Sequence, residues 1–252
     1  MTDFIIYHLK LYSIIFPLVL LYFYLIPAGL FYWFFFIRTS RKLDVQRIQK
    51  RLQGAGSIRR EIRASIGSMA LFSVLGLFMY EAWRLGYTRI YLDVRQYSIA
   101  YLIFSVTLLA VLHDTYFYWA HRFMHWKPAY RYFHRLHHRS VTPTPWAVYA
   151  FQPLETIVQF GIYPIVLLLI PLHPLVLAVY LTYNILVNTG GHTGHEFLPE
   201  WMNRHWFFKW NNNVTHHDLH HTTFNYNFGL YFNLWDRWMG TFCDLPEKTK
   251  PV

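Results

Sequence analysis

Apolar residues dominate the chain from about residue 11 to residue 37, a run long enough to cross a bilayer as one helix. It exceeds the core of a signal peptide, and Arg38 to Arg41 carries no small-residue cleavage pattern. Pro17 and Pro27 predict kinks, which a membrane helix tolerates when neighbours satisfy the freed carbonyls. A second span is predicted over residues 64–80. A third begins near Tyr97 and enters a histidine-rich stretch at His113. Further on, apolar arms at 156–170 and 175–187 flank Pro171-Leu172-His173-Pro174, which predicts a helical hairpin. Each arm is short for the roughly 20 residues of a full crossing, so the pair is either extended by its flanks or re-entrant. Residues 188–252 are aromatic and polar with no further span. The chain has no internal repeat, low-complexity tract or flexible linker.

Charge orients these elements. Residues 38–63 hold nine Lys/Arg, among them Arg47, Arg59, Arg60 and Arg63, against Asp44 and Glu61. The positive-inside rule makes this loop cytoplasmic and the N-terminus external. The third span then returns to the side of the basic loop, and the hairpin leaves and rejoins it. Every histidine group from His121 onward is thereby expected at the cytoplasmic surface. Composition agrees with a membrane protein: 54% hydrophobic and 14% charged, where a soluble domain carries about 25% charged residues. The net charge of +10 flanks apolar runs, which fits anionic lipid and sets nucleic acid aside. The single cysteine, Cys243, permits no internal disulfide, so oxidising export is not indicated. Asn213-Val-Thr215 matches a glycosylation acceptor, which in the cytoplasm stays unmodified.

Chemistry is concentrated in the 15 histidines. Four groups stand out: His121-Arg-Phe-Met-His125, His134-Arg-Leu-His137-His138, His192-Thr-Gly-His195 and His216-His217-Asp218-Leu219-His220-His221. On a helix, positions i, i+3 and i+4 share a face, so each box presents its imidazoles together. Asp114 and Tyr118 fall on the same stripe as His121 and are candidate catalytic residues. Imidazole binds Zn, Cu, Fe and Ni, and eight to ten convergent rings exceed one metal and suit two. The candidate ligands are His121, His125, His134, His137, His138, His192, His195, His217, His220 and His221. His113 and His216 stay open between ligand and orienting roles. His8 and His173 read as structural, His205 as surface. The nearby carboxylates are Asp114, Glu196 and Asp218, and the Glu-x-x-His pattern of ferritin-type di-iron bundles is absent. Asp114 and Asp218 fit better as acceptors that orient imidazoles.

The ordered boxes His113-Asp-Thr-Tyr-Phe-Tyr-Trp-Ala-His121-Arg-Phe-Met-His125, His134-x-x-His-His and His217-x-x-His-His resemble the fatty acid hydroxylase/sterol desaturase superfamily over residues 100–243. The stretches 144–155 and 225–240 resemble its sterol desaturase branch, although Gln152 stands where many members have histidine. The resemblance implies an all-α integral membrane bundle of about three spans plus a hairpin, with a cytoplasmic histidine-rich cap holding two metals. It divides the chain into N-terminal spans and basic loop (1–96), catalytic domain (97–243) and tail (244–252). It also implies two Fe ions, for which Zn substitutes in purified protein, O₂, and electrons from NAD(P)H through a separate acidic haem or ferredoxin-type protein. The expected place is the endoplasmic reticulum in a eukaryote or the inner membrane in a bacterium.

Breaking an unactivated C–H bond needs a redox metal, which agrees with iron rather than zinc. Desaturation and hydroxylation share the first hydrogen abstraction, and the sequence leaves both open. A membrane metal transporter or store, and a metallohydrolase, are the readings from other classes. The stretch 144–155, including Ala147 and Ala150, is expected to line a lipid entrance. The aromatics Tyr116, Phe117, Tyr118, Trp119, Trp126, Trp146, Tyr149 and Phe151 fit either an apolar lipid slot or an interfacial belt.

Overall fold

A computed structural model describes residues 2–38, 45–49 and 53–244. Much of the basic loop, with Arg41, Lys42, Asp44, Lys50 and Arg51, lies outside the described residues, as does nearly all of the tail. Among the described residues the chain is helical with only isolated β-bridges. Three helices are long and apolar enough to cross a membrane: α1 (Thr2–Ile37), α2 (Ala55–Arg84) and α3 (Ile99–Met124).

α1 starts nine residues earlier than the hydropathy run. Asp3, His8 and Lys10 lower hydropathy there without weakening the helix, and the His8 ring reaches Glu81 of α2 at 2.9 Å. A wide turn at Leu21–Leu25 brackets Phe23, the carbonyl four residues before Pro27 that the proline cannot bond. α2 likewise starts at Ala55 rather than 64, because Arg59, Arg60 and Arg63 are good helix formers whatever their charge. Ser98 caps α3, its Oγ accepting from the Tyr101 N–H at 3.2 Å.

α4 (Lys127–Phe133) follows at once and ends in a turn and a 3₁₀ segment, His137–Arg139. The hairpin is present as α5 (Pro153–Phe160), α6 (Ile162–Leu169) and α7 (Pro174–Gly191). Gly161 breaks the first arm, where the Tyr116 hydroxyl donates to the Val158 carbonyl at 2.7 Å. His173 caps α7, its Nδ1 accepting from the Leu175 N–H at 3.0 Å. Short helices α8 (Glu200–Arg204), α9 (Val214–Thr223) and α10 (Leu234–Trp238) complete the cap. α3 packs on α7, and α2 on both α1 and α5.

The two ends of the bundle differ. At one end the hairpin tip is tied to the segment after α2 and to the start of α3: Tyr91 N donates to the Leu172 carbonyl at 3.2 Å and Tyr101 Oη to that of Pro171 at 2.8 Å. At the other, residues flanking the basic loop pack on the histidine segments. Gln49 Nε2 donates to Asp218 at 2.8 Å, and Gln53 Nε2 to the Thr142 carbonyl at 2.8 Å. The expected meeting of basic loop and histidine groups at one end is what these contacts establish.

Candidate metal centre

Four elements converge at that end. α3 delivers His121 and, at its C-cap, His125. The turn after α4 delivers His134, His137 and His138, the end of α7 His192, and α9 His217, His220 and His221. They form two groups whose ligand atoms lie within 4.8 Å of one another: His121, His125, His134, His138 and His220, and then His137, His192, His217 and His221. The groups adjoin, with ring centroids 5.1 Å apart for His134–His137 and 4.9 Å for His138–His221.

Each triplet is split between the groups, where helical spacing alone predicts one shared direction. On α9, His217 and His221 differ by about 40° around the axis, but His220 and His221 by about 100°. One broad face therefore serves two centres. In the second box the chain has left the α-helix by His134, and the tight turn sends His137 away from His134 and His138.

The outer nitrogens fix the rings. Nδ1 of His121 donates to the Phe228 carbonyl (2.9 Å), that of His192 to Asn188 (2.7 Å) and that of His220 to Tyr226 (2.7 Å). His134 Nδ1 donates to the Glu155 carboxylate at 2.6 Å, both groups being buried. With the proton on Nδ1, Nε2 presents a bare lone pair. Yet the Nε2 atoms of His121 and His134 face each other at 2.9 Å. Two facing lone pairs repel. A shared proton is no remedy, because burial, aided by neighbouring imidazoles, pushes His134 well below the ordinary 6.5. A cation between the rings resolves the conflict, so the donor set fits two imidazole-bound metals.

Burial likewise holds His137, His138, His220 and His221 well below 6.5, His192 at about 4 and His125 at about 2. These rings are neutral and ready to ligate at physiological pH.

The remaining candidates lie outside the two groups. His195 donates from Nδ1 to the Thr193 carbonyl at 2.7 Å, and Arg47 Nε donates to its Nε2 at 3.4 Å. Asp114 Oδ1 accepts from the backbone N–H groups of Leu230, Tyr231 and Phe232. It thus braces the loop whose Phe228 carbonyl holds His121. Tyr118 bonds Thr241 at 3.0 Å and receives Arg122 at 3.1 Å. Asp218 accepts from Gln49 rather than from an imidazole. His216 belongs to the capping box of α9 with Asn213, and Asn213 is buried, so that acceptor pattern is closed to glycosylation by packing alone.

Sequence reasoning missed Glu155, which orients His134 from 21 residues away, and Asp236, which accepts from the N–H groups of Phe228 (2.9 Å) and Gly229 (2.8 Å). Gln152 bonds the Leu136 N–H and the Arg131 carbonyl, so it holds the turn of the second box.

A cavity of about 310 Å³ opens between the helices and runs from Met79, Leu167 and Leu181 to His121, His134, His137, His192 and His217. Phe117, Tyr149 and Phe151 line it, as do Val148 and Glu155 of the stretch expected at an entrance. Ala147 and Ala150 are buried but face away from it, and Trp119 and Trp126 lie on the exposed surface.

Comparison with known proteins agrees with this site. The fatty acid hydroxylase family model matches residues 106–241. A Delta(7)-sterol 5(6)-desaturase of Gibberella zeae is 30% identical over 230 residues, covering 89% of this chain and 66% of the relative. The lathosterol oxidases of Homo sapiens and Rattus norvegicus are 33% and 35% identical, each alignment covering 73% of this chain and 61% of the relative. The chain thus spans just under two thirds of the length of these relatives. No solved structure matches it.

Proposed function

The chain belongs to the fatty acid hydroxylase family, and from that membership we propose that it is an O₂-dependent di-iron membrane oxidoreductase that desaturates or hydroxylates a lipid, a sterol-like one foremost. The observation that carries this reading is the apolar cavity that joins the bundle interior to both histidine groups. A bilayer-dissolved substrate reaches the metals through it without crossing water. The sterol-modifying activities in the relatives' names favour a ring-system substrate over an acyl chain.

In this reading His121, His125, His134, His138 and His220 hold one iron, and His137, His192, His217 and His221 the other. Bound there, iron supplies with O₂ and external electrons the oxidant that an unactivated C–H bond requires. The protein's own residues do the rest. Phe228, Asn188, Tyr226 and Glu155 lock the Nδ1 protons so that Nε2 faces inward. Asp114 and Tyr118 act as positioning residues behind His121. Phe117 and Phe151 exclude water beside the ligands.

Electrons come from NAD(P)H through an acidic haem or ferredoxin-type protein, which docks on the exposed Arg122, Lys127, Arg131, Arg135 and Arg139. The protein is multi-pass, in the endoplasmic reticulum or the bacterial inner membrane, with the metal centre facing the cytoplasm. The test is turnover by purified, iron-loaded protein with a reducing donor, offered a Delta(7)-sterol or an acyl lipid. Product forms only with O₂ and only with iron. A hydrolysis product from anaerobic or zinc-loaded protein would establish a hydrolase instead.

A further inference from the structure

Two helical turns below the ligands, the cavity carries a second polar level. α3 places His113 eight residues before His121, and α7 places Asn184 eight residues before His192. At 1.5 Å per residue both lie about 12 Å down the bundle from the metal ligands. They meet there, with Asn184 Nδ2 3.4 Å from His113 Nδ1. The Tyr180 and Tyr231 hydroxyls close on the same Nδ1, Tyr231 at 3.1 Å. In the tautomer that lets the Asn184 amide and the Tyr180 and Tyr231 hydroxyls donate to Nδ1, the ring proton sits on Nε2. That nitrogen has no hydrogen-bond partner among the described residues, although His113 is 5% exposed and lines the cavity. One turn nearer the histidine groups, Asn188 also lines the cavity, and its side chain hydrogen-bonds nothing among the described residues.

Polar groups at membrane depth are expensive and are retained where they meet a substrate or a partner. Here an N–H donor and an amide face a cavity whose surrounding wall includes Met79, Phe117, Leu177 and Leu181. We propose that His113 and Asn188 form a recognition subsite for a hydrogen-bond-accepting oxygen of the lipid, a hydroxyl or carbonyl placed about 12 Å or less from the carbon that is oxidised. The inference rests on the lipid-oxidising reading and narrows it to oxygenated lipids over plain hydrocarbons. The anchored oxygen sets the depth of the substrate, and with it which carbon stands beside the metals. His113 and Asn188 are here specificity-determining residues, distinct from the nine ligands.

The test measures binding by the metal-loaded full chain in phosphatidylcholine nanodiscs. The probes are 5α-cholestan-3β-ol and 5α-cholestane, which differ by one hydroxyl. Comparing each probe between wild type and variant cancels their different partition into the disc. His113→Phe is expected to weaken the alcohol about tenfold, the value of one hydrogen bond, and to leave the hydrocarbon unchanged. His113→Gln, which keeps an N–H donor, should restore part of the difference. Asn188→Leu gives the same readout should His113→Phe fail to fold, judged by metal content. Equal weakening of both probes, or of neither, overturns the proposal, as it would if the level held only water. That result in a preparation which still oxidises lipid leaves the function reading intact. An intact contrast in a preparation that yields no O₂-dependent product supports the subsite and removes the function reading instead.

Discussion

At the scale of single residues, the centre depends on partners that hold imidazoles rather than on imidazoles alone. Glu155 is the clearest case: its carboxylate is the only acceptor for His134 Nδ1 among the described residues, and it is fully buried. Losing such a partner typically weakens metal binding 10–100-fold. Glu155→Leu should lower the metal content by about one ion per chain in dilute chelator, while Glu155→Gln, which keeps an acceptor oxygen, loses less. Full metal retention in the Leu variant would mean that Glu155 has no orienting role. Protons act on the same rings. Unfolded imidazoles titrate near 6.5, whereas burial keeps the folded ones neutral far below it. Above pH 6.5 neither state binds a proton, so stability is flat. Below it the unfolded chain takes up protons that the folded chain refuses, and stability falls until the folded rings titrate. Thermal unfolding of chelator-treated protein should therefore hold its midpoint from pH 8 to 7 and drop steadily below about 6.5. A midpoint independent of pH down to 5 would contradict neutral buried rings.

At the scale of elements, the spans and the hairpin are legible because hydropathy reports burial in lipid directly. α3 ends with the first box, His125 being its C-cap, and the hairpin turn falls on Pro171–Pro174 as its prolines dictate. What hydropathy does not carry is geometry across the chain. The split of each triplet follows from a 3₁₀ turn at His137–Arg139 and from the angular breadth of α9, and neither is a compositional signal. Glu155 sits inside a stretch that the sequence assigns to an entrance, and only the fold of α5 against the second box turns it toward His134. The same stretch shows the limit at finer scale. Ala147 and Ala150 read as the small residues of a channel wall, yet Val148, Tyr149 and Phe151 form that wall. Val148→Trp should accordingly lower turnover of bulky lipid at least tenfold with metal content unchanged. Ala150→Trp, forced into a packed interior, should lower folded yield and metal together. Identical behaviour of the two variants would remove Val148 from the channel.

At the scale of the whole molecule, one end of the bundle gathers Arg122, Lys127, Arg131, Arg135 and Arg139, the two histidine groups and the upper end of the cavity. Cys243 is buried and cannot report which side that end faces, so the reporter must be introduced. A cysteine placed by Arg139→Cys is expected to resist an impermeant thiol reagent in sealed cells and to react after lysis. Labelling before lysis would invert the topology. In the proposed function the same end receives electrons, and its exposed cations then make a physical demand on the donor. Arg122, Lys127, Arg131, Arg135 and Arg139 crowd the turn that carries the second box, and none of them is buried. Close like charges raise the potential there and speed encounter with an acidic partner, an effect that salt screens over about 10 Å at 0.1 M. Turnover limited by reduction should then slow several-fold between 20 and 300 mM salt. The double variant Arg135→Glu, Arg139→Glu should be slow already at low salt and nearly indifferent to further salt, with metal content unchanged. If these cations instead bind only lipid phosphates, the wild-type rate with a soluble donor stays constant across the salt range. Charge reversal then changes liposome binding and leaves reduction untouched.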